Sequence, residues 1–320
     1  MKLVTFTSSR SGPAILGGLT AGEDTVVDLQ AVRRRHASTD HPALESMQHL
    51  IESGAEGLAL AQNCLASAEA AECIPVGDVR LLAPLPVPIQ IRDCLCFEEH
   101  LVRSLEAASR LTGKEPSERQ QAMFRTFRQQ PIYYKANRFA VVGPDVDVVW
   151  PAYSELMDYE LELGMVLGRT GRNITPEQAG DYIFGYTIFN DLSARDTQLV
   201  EMEGQLGPAK GKDFDGANIM GPCIVTADEF DPNNAQMRVR INGEVIAEGN
   251  SGTMYHSFFD LIAFISRDET LHAGEILGSG TVGKGSGLEV GRLLASGDVV
   301  ELEVEGIGVL KNRILSATAC

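Results

Sequence analysis

Two glutamates one residue apart, Glu160 and Glu162, stand in the largely apolar stretch Asp158-Tyr159-Glu160-Leu161-Glu162-Leu163. In a strand, alternate side chains share a face, so the two carboxylates would project together with α-carbons about 7 Å apart. Tyr159, Leu161 and Leu163 would point the other way. Like charges so placed repel unless water or a cation lies between them. An all-oxygen pair suits a hard cation such as Mg²⁺, Mn²⁺ or Ca²⁺ better than zinc. Taken alone, the pattern equally describes an edge strand with a solvated acidic face, since exposed strand carboxylates are common.

The next segment gives the pair its meaning. Gly185-Tyr186-Thr187-Ile188-Phe189-Asn190-Asp191 is an apolar run that ends in polar groups, as a buried strand delivering side chains to a site would, and Ser193-Ala194-Arg195-Asp196 follows. Beyond it, Leu206-Gly207-Pro208-Ala209-Lys210-Gly211-Lys212-Asp213-Phe214 sets glycines around two lysines, a flexible way to bring a cation to an oxyanion. Lys210 is as easily a solvated loop lysine.

In order and spacing, Asp158–Gly164, Asn190–Gln198 and Gly207–Phe214 resemble the signature block of the fumarylacetoacetate hydrolase family, and the likeness extends over roughly residues 80–320. The resemblance implies that Glu160, Glu162 and Asp191 ligate a divalent cation, Mg²⁺ or else Mn²⁺ or Ca²⁺. It implies that Lys212 holds the bound oxyanion and that Arg195 and Gln198 line the site. Upstream, Arg92-Asp93-Cys94-Leu95-Cys96-Phe97-Glu98-Glu99-His100 is similar to the family segment in which an aspartate precedes the catalytic histidine by seven positions. That puts the histidine role on His100 and a metal-proximal role on Asp93. Downstream, Thr281 falls on a substrate-contacting turn, and Glu289 on the carboxylate that orients the histidine, with Glu98 or Glu99 as the other choices. Tyr134, beside Tyr133, is a candidate pocket aromatic.

These roles imply a chemistry: a divalent cation chelates a small anionic 2-oxo or diketo acid, His100 activates water, and a carbon–carbon bond is hydrolysed in an acylpyruvate- or fumarylacetoacetate-like substrate. The same enolate step also serves decarboxylases, isomerases and sugar-acid dehydratases of the family. Leu95, Leu192 and Met202 or Glu203 stand where family members often carry aromatic groups, so the substrate stays open. A non-catalytic fold stapled by a cation would need neither Lys212 nor His100.

The elements that must position these groups are mostly short strands. Val141-Val142, Val146–Trp150, Leu161–Leu167, Cys223–Thr226, Gln236–Ile241 and Val299–Val304 alternate or run apolar. Leu3–Phe6, Ala14–Gly17 and Thr25–Leu29 read as a small meander, and residues 42–71 as helical. Residues 98–130 read as two helices separated by Thr112-Gly113-Lys114-Glu115-Pro116. The expected architecture is β-rich α+β: a mixed β-roll catalytic domain with peripheral helices over residues 81–320, and a small N-terminal α+β domain over residues 1–80. The proline-broken Leu82–Pro88 marks the boundary.

Gly278-Ser279-Gly280-Thr281-Val282-Gly283 formally fits Gly-x-Gly-x-x-Gly. Gly278–Lys284 also approaches a phosphate loop, but Gly285 stands where Ser or Thr is needed. No helical pattern follows, so both nucleotide readings are rejected.

The 320 residues carry 44% apolar and 22% charged side chains, enough for a full core, and a net charge of −17, contrary to a nucleic-acid binder. No run approaches the roughly 20 apolar residues of a membrane helix, and Met1–Phe6 does not open a signal peptide. The six scattered cysteines, Cys64, Cys73, Cys94, Cys96, Cys223 and Cys320, read as reduced thiols. A cytoplasmic homodimer is expected.

Overall fold

The computed structural model describes residues 1–9, 12–113, 115 and 117–317. Cys320, and Lys114 and Pro116 of the expected helix break, lie outside them. A 12-stranded mixed sheet forms the frame. Its central path runs from Lys2–Thr7 through Asn218–Thr226, Ile183–Asp191, Leu161–Leu167, Ile276–Gly278 and Ile91–Leu95 to Ile132–Ala136 at one end. At the other end Ile15–Leu19, Thr25–Asp28 and Cys73–Pro75 extend it. A five-stranded sheet, Glu244–Asn250, Gln236–Ile241, Val299–Val304, Gly308–Ser316 and Asp147–Trp150, packs against one side. Neither sheet closes on itself, and the β-rich α+β class expected from the sequence is the one observed.

The central strands are mostly buried, and every residue of Leu161–Leu167 is buried. Their two faces serve two cores. Leu161, Leu163 and Met165 join Val239, Leu302 and Ile314 between the sheets. Val166, Phe189, Met220 and Ile276 pack on the opposite side against Leu44, Leu50 and Ile51. That second layer is the helical region read in residues 42–71, divided into Met47–Glu52 and Gly54–Ala66. The division falls where Gly54 takes φ +58°, a conformation glycine adopts without strain.

Several elements carry little local signal. Leu29–Ala37 is a helix whose N-terminus is capped by the Asp28 side chain, although Leu29 reads as the end of a strand. Arg195–Gly204 is helical as well. The helices Glu98–Thr112 and Glu118–Gln129 pack on each other through Leu101, Leu105 and Phe127, which sets His100, in the first turn of Glu98–Thr112, against the sheet.

Candidate active site

Four adjacent strands bring three carboxylates together. Leu161–Leu167 runs antiparallel to Ile183–Asp191 on one side, with Leu161 opposite Asn190, and to Ile276–Gly278 on the other, with Gly164 opposite Gly278. Ile91–Leu95 lies parallel to Ile276–Gly278, which places Asp93 opposite Gly278. Glu162, Asp191 and Asp93 thereby converge, each buried, with one carboxylate oxygen apiece lying within 4.8 Å of the others. Asp93 Oδ1, Glu162 Oε1 and Asp191 Oδ1 are buried without a hydrogen-bond partner.

Buried carboxylate oxygens left without a partner are costly. Burial pushes all three up from the usual carboxylate range, and for Glu162 the neighbouring Asp93 and Asp191 push in the same direction. A divalent cation would supply the missing partner, and an all-oxygen donor set matches its chemistry. Gly278 keeps the space open: a Cβ there would come within 2.5 Å of Asp93 Oδ1 and 2.8 Å of Glu162 Oε2. The residues therefore fit a metal site.

Glu160 stands beside this group with different partners. Its Oε1 accepts from Arg195 Nη2 at 2.7 Å and its Oε2 from the Lys212 ammonium, which also reaches Asp191 Oδ2. The Asn190 side chain accepts the Glu160 backbone N–H at 3.0 Å. Burial disfavours a charge on Glu160, but Arg195, Lys212 and His100 outweigh it and hold the carboxyl below its usual range. Lys212 is buried, and Asp191 and Glu160 overcome that burial to keep it protonated.

On the other side of Glu160 lies a histidine–carboxylate pair. His100 Nδ1 is 3.0 Å from Glu289 Oε2, and His100 Nε2 is 3.9 Å from Glu160 Oε1. Burial lowers the His100 pKa, yet the charge and hydrogen bond of Glu289 win and raise it above the ordinary value. Glu98 and Glu99, the other carboxylates considered, are turned to Arg128 and Arg103, each at 2.7 Å. Glu289 is fixed by the short helix Gly287–Val290, where it and Ser286 form a capping box. The Ser286 hydroxyl donates to Glu289 Oε2 at 2.9 Å, and the Lys284 N–H to Oε1 at 3.0 Å.

The remaining expected residues are gathered at the same place. Tyr134 OH donates to Asp191 Oδ2 at 2.6 Å. Gln198 Oε1 accepts from Arg195 Nη1 at 2.9 Å. Thr281 is buried next to Gly280, whose N–H donates to Glu162 Oε2 at 3.0 Å.

Asp158 was not singled out by sequence. It is wholly buried and accepts from Gly287 N–H at 2.7 Å, Leu288 N–H at 3.0 Å and Arg195 Nε at 2.8 Å. It thus ties the Glu289 helix to the arginine on Glu160. A short helix, Gly287–Val290, does follow the glycine-rich turn, contrary to the sequence expectation, and its first two amides donate to this carboxylate. The available signals were the acidic residue preceding Glu-x-Glu and the Ser286-x-x-Glu289 pattern of a capping box.

A sequence model described as the C-terminal region of fumarylacetoacetate (FAA) hydrolase matches residues 91–315. The chain belongs to the fumarylacetoacetate hydrolase family. Relatives within reach of it carry different activities in their names. Oxaloacetate tautomerase FAHD2A, mitochondrial, of Homo sapiens is 30% identical over 98% of this chain and 92% of its own. Fumarylacetoacetate hydrolase from psychrophilic Exiguobacterium antarcticum superposes with a TM-score of 0.73 at 29% identity, covering 99% of each chain. Maleylpyruvate hydrolase from Sphingobium sp. SYK-6, in complex with manganese(II) ion and pyruvate, shares the fold at a TM-score of 0.73 and 23% identity, covering 99% of each chain. The family thus spans hydrolases and tautomerases. Among the described residues no helix is long and apolar enough to cross a membrane.

Proposed function

We propose that the chain is a divalent-metal-dependent enzyme that hydrolyses a carbon–carbon bond in a small diketo acid of the acylpyruvate or fumarylacetoacetate type. The observation that carries this reading is one buried site joining three unpartnered carboxylate oxygens to a carboxylate-backed imidazole. Asp93, Glu162 and Asp191, with Glu160 beside them as the further carboxylate the resemblance implies, are the residues that would hold the cation. Bound there, Mg²⁺ or Mn²⁺ would orient the 2-oxo acid oxygens and lower the cost of enolate formation.

The chain's own groups supply the rest. Glu289 holds His100 at Nδ1, which leaves Nε2 to take a proton from water. The hydroxide adds to the distal carbonyl and the carbon–carbon bond breaks. Its electron pair passes to the adjoining carbonyl as an enolate, whose oxygen lies toward the Lys212 ammonium. The imidazolium returns its proton to the enolate carbon, giving a carboxylic acid and a 2-oxo acid.

A second reading, keto–enol tautomerisation of oxaloacetate, draws on the human relative named above. There His100 would shuttle a proton between carbon and oxygen without adding water. Acylpyruvates and oxaloacetate should be incubated with purified protein and Mg²⁺ or Mn²⁺, and the products identified. Release of pyruvate and a free acid from acylpyruvate supports hydrolysis; loss of the oxaloacetate enol without pyruvate supports tautomerisation. Undiminished turnover after exhaustive chelation would sink both.

A further inference from the structure

Lys212 reaches the site from a loop with little core of its own. Residues 201–210 are exposed or half-buried, and Leu206 is fully exposed. Glu201, in the last turn of Arg195–Gly204, fastens that loop: its carboxylate accepts the backbone N–H groups of Ala209 at 3.2 Å, Lys210 at 2.6 Å and Gly211 at 2.8 Å. Hydrogen bonds to an ionised acceptor are stronger than neutral ones, and here three successive amides share one.

The loop also docks on the start of the same helix. Ala194 N–H donates to Gly211 O at 2.8 Å, and a Cβ on Gly211 would come within 2.9 Å of the Gln198 backbone nitrogen. Arg195, the first residue of that helix, holds one Glu160 oxygen while Lys212 holds the other.

We propose that Glu201 is a positioning residue for Lys212: by gathering the three amides it sets where the ammonium lies against Glu160 and Asp191. The inference rests on the role given to Lys212 under the proposed function. It assigns Glu201 no contact with substrate.

The test compares Glu201→Ala, Lys212→Met and the double variant, each as a full-length protein titrated with Mn²⁺ and assayed per Mn²⁺-loaded chain. Lys212→Met removes a like charge beside the cation and should tighten Mn²⁺ binding about tenfold. Glu201→Ala should move the affinity in the same direction by a smaller factor. It should also lower kcat roughly 10–100-fold with KM little changed, the scale of a misplaced group. The double variant should match Lys212→Met in both readouts, because Glu201 acts only through the lysine. Glu201→Gln, which keeps one neutral accepting oxygen but sets an NH2 against the remaining N–H groups, should recover only part of the loss.

Additive losses in the double variant would overturn the proposal, as would a Glu201→Ala protein with wild-type Mn²⁺ affinity and kcat. Full activity in Lys212→Met would instead refute the role given to the lysine, and the Mn²⁺ titrations would still decide on Glu201.

Discussion

His100 and Glu289 form a pair whose behaviour with pH follows from their contact. Glu289 raises the His100 pKa above its ordinary value despite burial, and only the neutral ring accepts a proton. Activity should therefore rise with pH through a pKa above about 6.5, read as the acidic limb of kcat/KM. Glu289→Gln removes the larger raising charge and leaves burial and Arg195 opposed by Glu160, so the limb should move to lower pH while the plateau falls. His100→Ala should cost about 10²–10⁴-fold, the usual worth of a general base. A limb that stays put in Glu289→Gln would remove His100 from that role. The carboxylates give a second pH signature. Asp93, Glu162 and Asp191 are pushed up, so with the cation chelated away the folded protein keeps protons that the unfolded chain releases. That contribution to stability is fully present below the unfolded carboxylate pKa of about 4 and is lost as pH rises through the raised folded values. Cation binding expels those protons. The stabilisation on adding Mg²⁺ or Mn²⁺, read as a rise in melting temperature, should thus grow with pH, reaching about 2.7 kcal/mol at a hundredfold excess over Kd. A gain independent of pH would place the cation elsewhere.

At the level of elements, the site depends on a strand of three residues, Ile276–Gly278, between two longer ones. Its pairing aligns Asp93 with the strand that carries Glu162, and its terminal glycine leaves room for both carboxylates. Gly278→Ala should overpack this spot at a cost of about 1–3 kcal/mol. Because the strain falls on the oxygens proposed to hold the cation, the expected outcome is a roughly 10–100-fold loss of Mn²⁺ affinity in a protein that still folds. Calorimetric titration checks it, and unchanged affinity would mean the cradle is looser than its geometry. The longer strands were legible because local pattern suffices for them: Leu161–Leu167, Gln236–Ile241 and Val299–Val304 occur over the residues their apolar runs mark. Ile276–Gly278 was not, since three residues carry no measurable period. The helix Arg195–Gly204 was missed for a related reason. Its hydrophobic face is weak, and its position is set by the Arg195 and Glu201 contacts to other segments.

Across the whole molecule, the N-terminal strands join the central sheet: Leu3 of Lys2–Thr7 pairs with Ile224, and Phe6 is fully buried in the core between the sheets. Phe6→Ala should cost about 3–5 kcal/mol. In urea this should appear as one cooperative transition at lower denaturant, reported alike by far-UV circular dichroism and by loss of activity; separate transitions would mean the N-terminal segment unfolds by itself. The sequence alone determined the β-rich class and the family, and offered most of the polar residues that meet at the candidate site, Asp158 excepted, because strand periodicity and an ordered motif block are local properties of the chain. Tertiary structure decided how those residues are shared out. Sequence grouped Glu160 with Glu162 through two-residue alternation. In the fold, Asp93 and Asp191 from neighbouring strands surround Glu162, whereas Glu160 faces Arg195, Lys212 and His100. Strand pairing and helix docking bring these distant groups to one place, and such pairing is a long-range property that no local pattern encodes.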